Sequence, residues 1–179
     1  MMKNAGMLVA GIMVSFLSHG QKFTSVKSSV KFYSHATIED ITAVNAESSS
    51  IFNEATGEVV YSIPIKEFAF DKPLMKDHFN DNYMESDKFP KGTFQGKISG
   101  YQPTVSGAQN ATATGKLTIH GVTQEVQIPG TMENVNGALT MRTKFIVKLA
   151  DYNIKIPKLL WQKIAEQVEV TIEFNYNPL

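Results

Sequence analysis

The sequence predicts an all-β protein, an antiparallel barrel of about eight strands with two short helices. Three observations support this fold class. Apolar residues recur at every second position from Phe23 to the C-terminal end, turn residues separate the runs, and only two segments interrupt the alternation. Closure into a barrel is favoured because it removes the exposed strand edges that promote aggregation. A β-sandwich is the alternative.

The alternation predicts which residues of each strand face inward, since successive side chains point to opposite faces of a sheet. Pro64 indicates an edge or a bulge, and residues 121–123, Gly-Val-Thr, are predicted to form the turn of a hairpin. On the longest run the opposite face carries Arg142, Lys144 and Lys148, so it is expected to be solvated. The predicted inward rows are Val59, Tyr61, Ile63 and Ile65; Phe94 and Ile98; Leu117, Ile119, Val126 and Ile128; Leu139, Met141, Thr143, Phe145, Val147 and Leu149; and Val168, Val170, Ile172, Phe174 and Tyr176.

Two segments lack the alternation and are predicted to be short helices. The first covers residues 72–84, with Asp71 as the cap and Pro73 in the first turn, and the second covers residues 157–167. Turns are predicted at residues 53–57, 90–92, 100–107 and 134–137, which suits up-and-down connections. Neither a repeat nor a linker divides the chain, so residues 21–179 are expected to form one domain.

The first twenty residues resemble a secretory signal peptide. A short basic start with Lys3 precedes an uncharged apolar run over residues 5–17, and Ser18, His19 and Gly20 form a small-x-small ending. The run is shorter than the roughly 20 apolar residues that span a bilayer, so a permanent anchor is the weaker interpretation. We therefore expect cleavage near Gly20 and a periplasmic or secreted protein without a stable membrane span.

Composition excludes several classes of function. Lys plus Arg and Asp plus Glu both number 17, so no net field attracts nucleic acid, and no basic run is interleaved with aromatics. Cysteine is absent, which removes disulfides, thiolate metal sites and a cysteine nucleophile. Neither a glycine-rich phosphate loop nor a serine nucleophile elbow is present, so no cofactor and no acyl-transfer chemistry are predicted.

The remaining histidines and acids favour structural roles over a metal or catalytic site. His35, His78 and His120 lack the close spacing of a zinc site, and His120 has the outward parity of its strand. A second group of residues, Asp77, Asp81, Glu85 and Asp87, lacks calcium-loop spacing and is interpreted as the solvated face of the first helix. No metal ligands are predicted.

Two motifs resemble the YceI-like family. Residues 78–90, His-Phe-Asn-Asp-Asn-Tyr-Met-Glu-Ser-Asp-Lys-Phe-Pro, precede Phe94 and Gly96, and residues 115–124 read Gly-Lys-Leu-Thr-Ile-His-Gly-Val-Thr-Gln. The second motif is the more specific, and the resemblance covers about residues 23–176. It implies an extended, lipocalin-like barrel whose lumen holds a long-chain isoprenoid or a similar apolar lipid, with no reaction chemistry.

With this resemblance, the inward rows and the helices become candidates for the wall of a ligand tunnel. Without it, alternation alone leaves a filled core and a pocket equally open, because a barrel of about eight strands suits either. His78 is a candidate for contact with a ligand headgroup or a quinone oxygen. The predicted ligand-binding residues are Ile63, Ile65, Phe68, Phe70, His78, Phe79, Tyr83, Phe94, Leu117, Ile119, Phe145, Val147 and Trp161.

The function expected from the sequence is therefore an exported, non-enzymatic carrier that sequesters an isoprenoid, quinone-like or other amphiphilic lipid. One alternative is a filled barrel that acts as a stress-related protein-interaction module. Another is a lipid-modifying enzyme, with His78 and the nearby acids as acid–base groups. A homodimer through a strand edge or the second helix stays open.

Overall fold

The computed structural model describes residues 21–35, 40–156 and 165–179, and these form ten strands and one short α-helix. The strands are β1 (Lys22–Ser34), β2 (Ile41–Asn45), β3 (Ser49–Asn53), β4 (Glu58–Pro64), β5 (Ala69–Phe70), β6 (Lys91–Ser99), β7 (Gln109–Ile119), β8 (Val122–Val135), β9 (Ala138–Lys148) and β10 (Gln167–Pro178). The helix α1 (Pro73–His78) continues into a π-helical turn at Phe79–Tyr83.

Eight of the strands close into an antiparallel barrel, which confirms the predicted fold class. The ring order is β1, β3, β4, β6, β7, β8, β9 and β10, and β10 pairs with β1 from Phe23↔Pro178 to Tyr33↔Glu169. The strands β2 and β5 lie outside the ring: β2 pairs with the second half of β1, and β5 pairs with β2. They extend the wall beside α1.

The structure differs from the predicted bounds of the helices and of one turn. In the first segment Pro73 begins the helix as expected, but the capping residue is Lys72 and not Asp71, because the proline directly follows Lys72. The second helix lies almost entirely outside the described residues, and Gln167, its predicted last residue, begins β10. The predicted turn at residues 90–92 is also wrong beyond Pro90, since Lys91 begins β6.

Two glycine-containing features set the shape of the β6–β8 wall. Gly96 on β6 pairs directly with Gly115 on β7, and a Cβ on either residue would lie under 3 Å from the other's Cα. At the β7–β8 turn, His120 and Gly121 have φ values of 50° and 73°, as a two-residue hairpin turn requires. The predicted turn at residues 121–123 is therefore wrong beyond Gly121, since Val122 begins β8. Both features lie in or beside the motifs singled out in the sequence.

The outer face of β9 is solvated as predicted, and two of its basic side chains are paired with acids on β10. The Arg142 Nε donates to Glu173 Oε2 at 2.9 Å, and the Lys144 Nζ lies 2.8 Å from Glu169 Oε2. The Arg142 guanidinium lowers the pKa of the Glu173 carboxyl through this hydrogen bond. Pro64 lies at the last position of β4, and its carbonyl accepts a 2.7 Å hydrogen bond from the Asn45 side chain.

One end of the barrel is filled by tightly packed side chains. At this filled end β1 begins and β10 finishes, so the first and last inward residues of the ring meet there. These residues are at most 1% exposed: Phe23, Phe52, Val59, Leu139, Phe174 and Tyr176. Close-packed protein interiors contain few voids larger than a water molecule. The filled end therefore supplies the part of the core that holds the ring closed.

Candidate functional site

The opposite end of the barrel holds an apolar cavity of about 280 Å³. It lies between the inward faces of β6–β10, the second half of β1, and the segment from β4 through α1 that covers this end. This cavity is larger than the ~150 Å³ cavity that binds benzene, and its volume is close to the lower limit of roughly 300 Å³ for ligand pockets. The barrel is therefore hollow at one end and filled at the other.

The structure brings the predicted binding residues together around this cavity. The lining includes Ile63, Ile65, Phe68, Phe70, His78, Phe79, Tyr83, Phe94, Leu117, Ile119, Phe145 and Val147. Trp161 lies outside the described residues. Their contact with a ligand stays a prediction, since what the structure establishes is that they share one cavity.

Several lining residues were not among the predicted binding residues. Some belong to inward rows already recognised, and the period-two pattern was sufficient signal for them: Ile98, Ile128, Met141, Val168, Val170 and Ile172. Phe32 on β1 is different, because it belongs to none of the predicted inward rows and meets the α1 segment only when the chain is folded. Its alternation with Val30 was the available signal, and both residues line the cavity.

Phe79 anchors the α1 segment over the cavity through an aromatic cluster. Its ring centroid lies 5.4 Å from Phe32, 5.5 Å from Phe68 and 5.1 Å from Phe70. Aromatic pairs in this distance range contribute about 0.5–1.5 kcal/mol each beyond the area they bury. The cluster of Phe32, Phe68, Phe70 and Phe79, here called the phenylalanine cap, packs across the helix end of the barrel.

The cavity exists because the inward residues on one wall of the barrel are small and the side chains of the opposite wall do not fill the space. On β6–β8 the cavity is lined by Gly92, Ala111, Ala113 and Gly130, at positions where the alternation would also admit large side chains. Gly130 is required for another reason as well, since a Cβ there would lie 2.4 Å from the Arg142 carbonyl oxygen. The void thus follows from side-chain size along one wall.

Tyr61 lies where the cavity meets the filled end. Its ring packs 5.4 Å from Phe94 and 5.0 Å from Phe174, centroid to centroid. Its hydroxyl donates to the Met141 sulfur, and the neighbouring Tyr176 hydroxyl is hydrogen-bonded to Ser50 Oγ at 2.7 Å. Burial raises the pKa of both tyrosines well above the usual value of 10.0, because the tyrosinate anion would be desolvated.

These buried tyrosines predict a loss of stability at alkaline pH. In the unfolded chain each hydroxyl ionises near pH 10, whereas in the folded chain it keeps its proton, so stability is fully present below pH 10 and decreases as pH rises above it. Each tyrosine should contribute a decrease of about 1.4 kcal/mol per pH unit. Urea unfolding between pH 9 and 11 measures the slope, and Tyr61→Phe should remove one tyrosine's share. An unchanged slope in Tyr61→Phe would contradict this assignment.

The charged groups of the α1 segment lie on its outer surface. Asp77, Asp81, Glu85 and Asp87 are exposed, and none of them lines the cavity. The exposed Asp87 is paired with Lys66, which lowers the pKa of its carboxyl. Among the described residues no group of His, Asp and Glu side chains is arranged to hold a metal ion. His78 lines the cavity but is itself exposed, so it lies at the rim.

His120 joins three segments that border the cavity. Its Nε2 lies 2.7 Å from Glu85 Oε2, its Nδ1 lies 3.1 Å from the Tyr152 carbonyl oxygen, and its ring packs on Phe89 at 4.6 Å. His120 and Glu85 both have positive φ, a conformation that costs a non-glycine residue of order 1–3 kcal/mol. The contacts of a buried imidazole offset that cost. The sequence placed His120 on the outward face of its strand, but the structure places it in the turn after β7, and its side chain is only 10% exposed.

Removing the His120 ring should destabilise the protein markedly. We expect His120→Ala to lower the free energy of unfolding by about 2–3 kcal/mol, since it deletes a hydrogen bond to a charged group and an aromatic contact. His35→Ala is the matched control. His35 also lies 2.7 Å from a carboxylate oxygen, that of Asp40, but its side chain is 77% exposed, so its loss should cost at most about 0.5 kcal/mol. Equal effects in urea unfolding would refute the role given to His120.

A closed antiparallel barrel with an apolar cavity defines this chain as a member of the class of small β-barrels that can enclose a ligand. A family model described as the YceI-like domain matches residues 21–176. The chain therefore belongs to the YceI-like family, which confirms the resemblance found in its motifs. No protein in the curated comparison matches the chain.

Solved structures with the same fold come from several bacteria. Burkholderia cenocepacia BcnA is 19% identical with a TM-score of 0.70, covering 83% of this chain and 95% of its own. A polyisoprenoid binding domain from Saccharophagus degradans, implicated in plant cell wall breakdown, is 15% identical with a TM-score of 0.77, covering 88% and 98%. The Campylobacter jejuni YceI protein is 14% identical with a TM-score of 0.55, covering 97% and 91%. At these identities the likeness establishes the fold.

None of the helices in the described residues has the length and apolar character needed to cross a membrane.

Proposed function

We propose that this protein is an exported carrier that holds the apolar chain of an isoprenoid-like or quinone-like lipid in the cavity. The observation that carries the proposal is the lining itself, which is composed largely of aliphatic and aromatic side chains and includes no Asp or Glu from the described part of the chain. Such a wall binds by removing apolar surface from water, worth roughly 25 cal/mol per Å². It does not require directed bonds along the chain of the ligand.

The polyisoprenoid-binding relative from Saccharophagus degradans supports the same ligand class for this chain. The size of the cavity adds a constraint. At about 280 Å³ it is roughly twice the ~150 Å³ cavity that accepts benzene, so it holds one segment of a long chain. The rest of a long ligand extends beyond the cavity. The polar lining groups Ser34 and His78 are where a polar end would find hydrogen-bonding partners.

Export is the second part of the proposal, and it rests on the signal-like pattern of residues 1–20. The mature protein is then expected to begin near Gln21. Intact-mass analysis of the protein from a periplasmic or secreted fraction tests this directly. A mass that includes residues 1–20, found in the cytoplasm alone, would reject export and leave lipid binding to be judged separately.

A binding role is favoured over the two alternatives by the cavity. A filled barrel that acts only as an interaction module does not explain why small residues line one wall. A lipid-modifying enzyme would need an acid–base pair inside the cavity. His78 lies at the rim, and the neighbouring acids Asp77 and Asp81 point away from the cavity on the exposed surface of the segment. We therefore propose a protein without catalytic activity of its own.

The test is native mass spectrometry of the protein purified from its own host, followed by solvent extraction and lipid analysis. A stoichiometric hydrophobic adduct is expected, and its fragmentation identifies the ligand. An adduct-free protein that also fails to bind added farnesol, geranylgeraniol and a long-chain quinone would reject the proposal. Ala113→Phe, a variant that fills the cavity, provides the matched control for nonspecific lipid carry-over.

A further inference from the structure

The barrel wall is interrupted between β8 and β9. β8 pairs with β7 from Gln109↔Met132 to Ile119↔Val122, and β9 pairs with β10 from Gln167↔Lys148 to Tyr176↔Leu139. β8 and β9 pair with each other only from Gly130↔Thr143 to Val135↔Ala138. Residues 122–129 and residues 144–148, although fully described, are joined by no ladder. We call the space between these two stretches the β8–β9 gap.

Pro129 explains where the ladder stops. A proline has no N–H to donate, and the Pro129 carbonyl accepts a 2.6 Å hydrogen bond from the Thr143 hydroxyl in place of a backbone amide of β9. Just below this point Gly130 allows the two strands to approach closely. Pro129 and Gly130 therefore form a fork, with paired strands on one side of it and separated strands on the other.

The gap has an upper border as well, so it is a bounded opening. The turn at Leu149–Tyr152 packs against the beginning of β8, where the Gln124 side chain donates to the Asp151 carbonyl at 2.8 Å. His120 contacts the Tyr152 carbonyl beside it. Between this border and the fork, about five residues of each strand face one another unpaired, a length of roughly 17 Å at 3.3 Å per residue.

The cavity borders this gap. Its lining includes inward residues from both sides, Ile128 on β8 and Phe145 on β9. It also includes Thr131 and Arg142, an outward cross-strand pair that lies within the ladder beside the fork. At the helix end, in contrast, the phenylalanine cap, the Lys66–Asp87 pair and the His120–Glu85 contact hold the α1 segment in place.

We propose that the β8–β9 gap is the lateral opening through which the apolar chain of a ligand enters the cavity, and through which the part too long for it extends. Passage here separates side chains without breaking backbone hydrogen bonds of the ring. Entry under the α1 segment would instead disrupt the phenylalanine cap and its ion pairs, so the gap is the path of lower cost. This inference rests on the proposed function, because it assigns a route to the same cavity.

The absence of cysteine from the chain makes a tethering experiment specific. Gln127→Cys and Ile146→Cys place two thiols on opposite sides of the gap, and a short bismaleimide joins them. Val135→Cys and Ala138→Cys, a pair within the β8–β9 ladder, provide the matched control. The measurement is stopped-flow uptake of N-phenyl-1-naphthylamine, an uncharged apolar fluorophore, together with its equilibrium affinity.

The tether across the gap should slow uptake on the order of tenfold, since binding would then require an additional structural change, while the control tether leaves the rate unchanged. A bulky maleimide adduct on the exposed Ile146→Cys should slow uptake too, whereas one on Val60→Cys, outward-facing on β4, should not. Unchanged rates in both gap variants, with affinity intact, would overturn the lateral route and leave the carrier function standing. No equilibrium binding in the unmodified protein would overturn both proposals.

Discussion

Leu139→Ala is expected to lower the free energy of unfolding by about 3–5 kcal/mol, the range for a leucine removed from a filled core. Leu139 is fully buried at the filled end, where the neighbouring side chains leave no space to relax into. The alanine variant therefore loses the transfer free energy of the side chain and also creates a new void. Urea unfolding measures the difference, and the slope of the transition should match the wild type.

Leu117→Ala is the matched control at the hollow end. Leu117 is also buried, at 7% exposure, but it lines the cavity and so lacks contacts on one side. We expect its loss to cost roughly 2 kcal/mol, less than the loss of Leu139, because fewer dispersion contacts are removed. Lipid affinity should change in the opposite order, falling in Leu117→Ala and remaining in Leu139→Ala. Equal stability losses would mean that both ends of the barrel are packed alike.

Ala113→Phe is expected to abolish most lipid binding while the protein remains folded. Ala113 lies on the wall of small residues, and a ring placed there occupies about half of a void that is roughly twice the ~150 Å³ benzene site. Affinity for farnesol should fall by at least about tenfold, equivalent to about 1.4 kcal/mol. The stability should change by less than about 1 kcal/mol, because the ring fills space that is already empty.

The neighbouring Thr112→Phe gives the control for this prediction. Thr112 has the opposite parity on β7, so its side chain points away from the cavity, and the same ring added there should leave affinity unchanged. Fluorescence displacement of a bound apolar probe measures both variants. If Ala113→Phe binds farnesol as the wild type does, the cavity is not the binding site.

The linear order of residues was enough to predict most of the wall. Period-two alternation placed Tyr61, Ile63 and Leu117 inward, because strand geometry alone determines the face on which a side chain lies. The motif around Gly115 and His120 identified the family. Both residues meet local backbone requirements: Gly115 lies where two neighbouring strands approach closely, and His120 occupies a left-handed turn position. The cap of the helix was predicted one residue too early for a similarly local reason, the position of Pro73.

What the sequence by itself determined, then, is the parity of β4 and of β6 to β10, an antiparallel sheet for which closure was favoured over a β-sandwich, and the membership of the family. Only the tertiary structure decided that the barrel is hollow at one end, that Phe32 meets Phe79, and that His120 joins Glu85 to the Tyr152 carbonyl. The physical reason is that alternation records which face a residue occupies, but not what stands opposite it. A void, an aromatic cluster or a gap between β8 and β9 depends on the sizes and distances of residues brought together from separate strands, and those follow from ring closure.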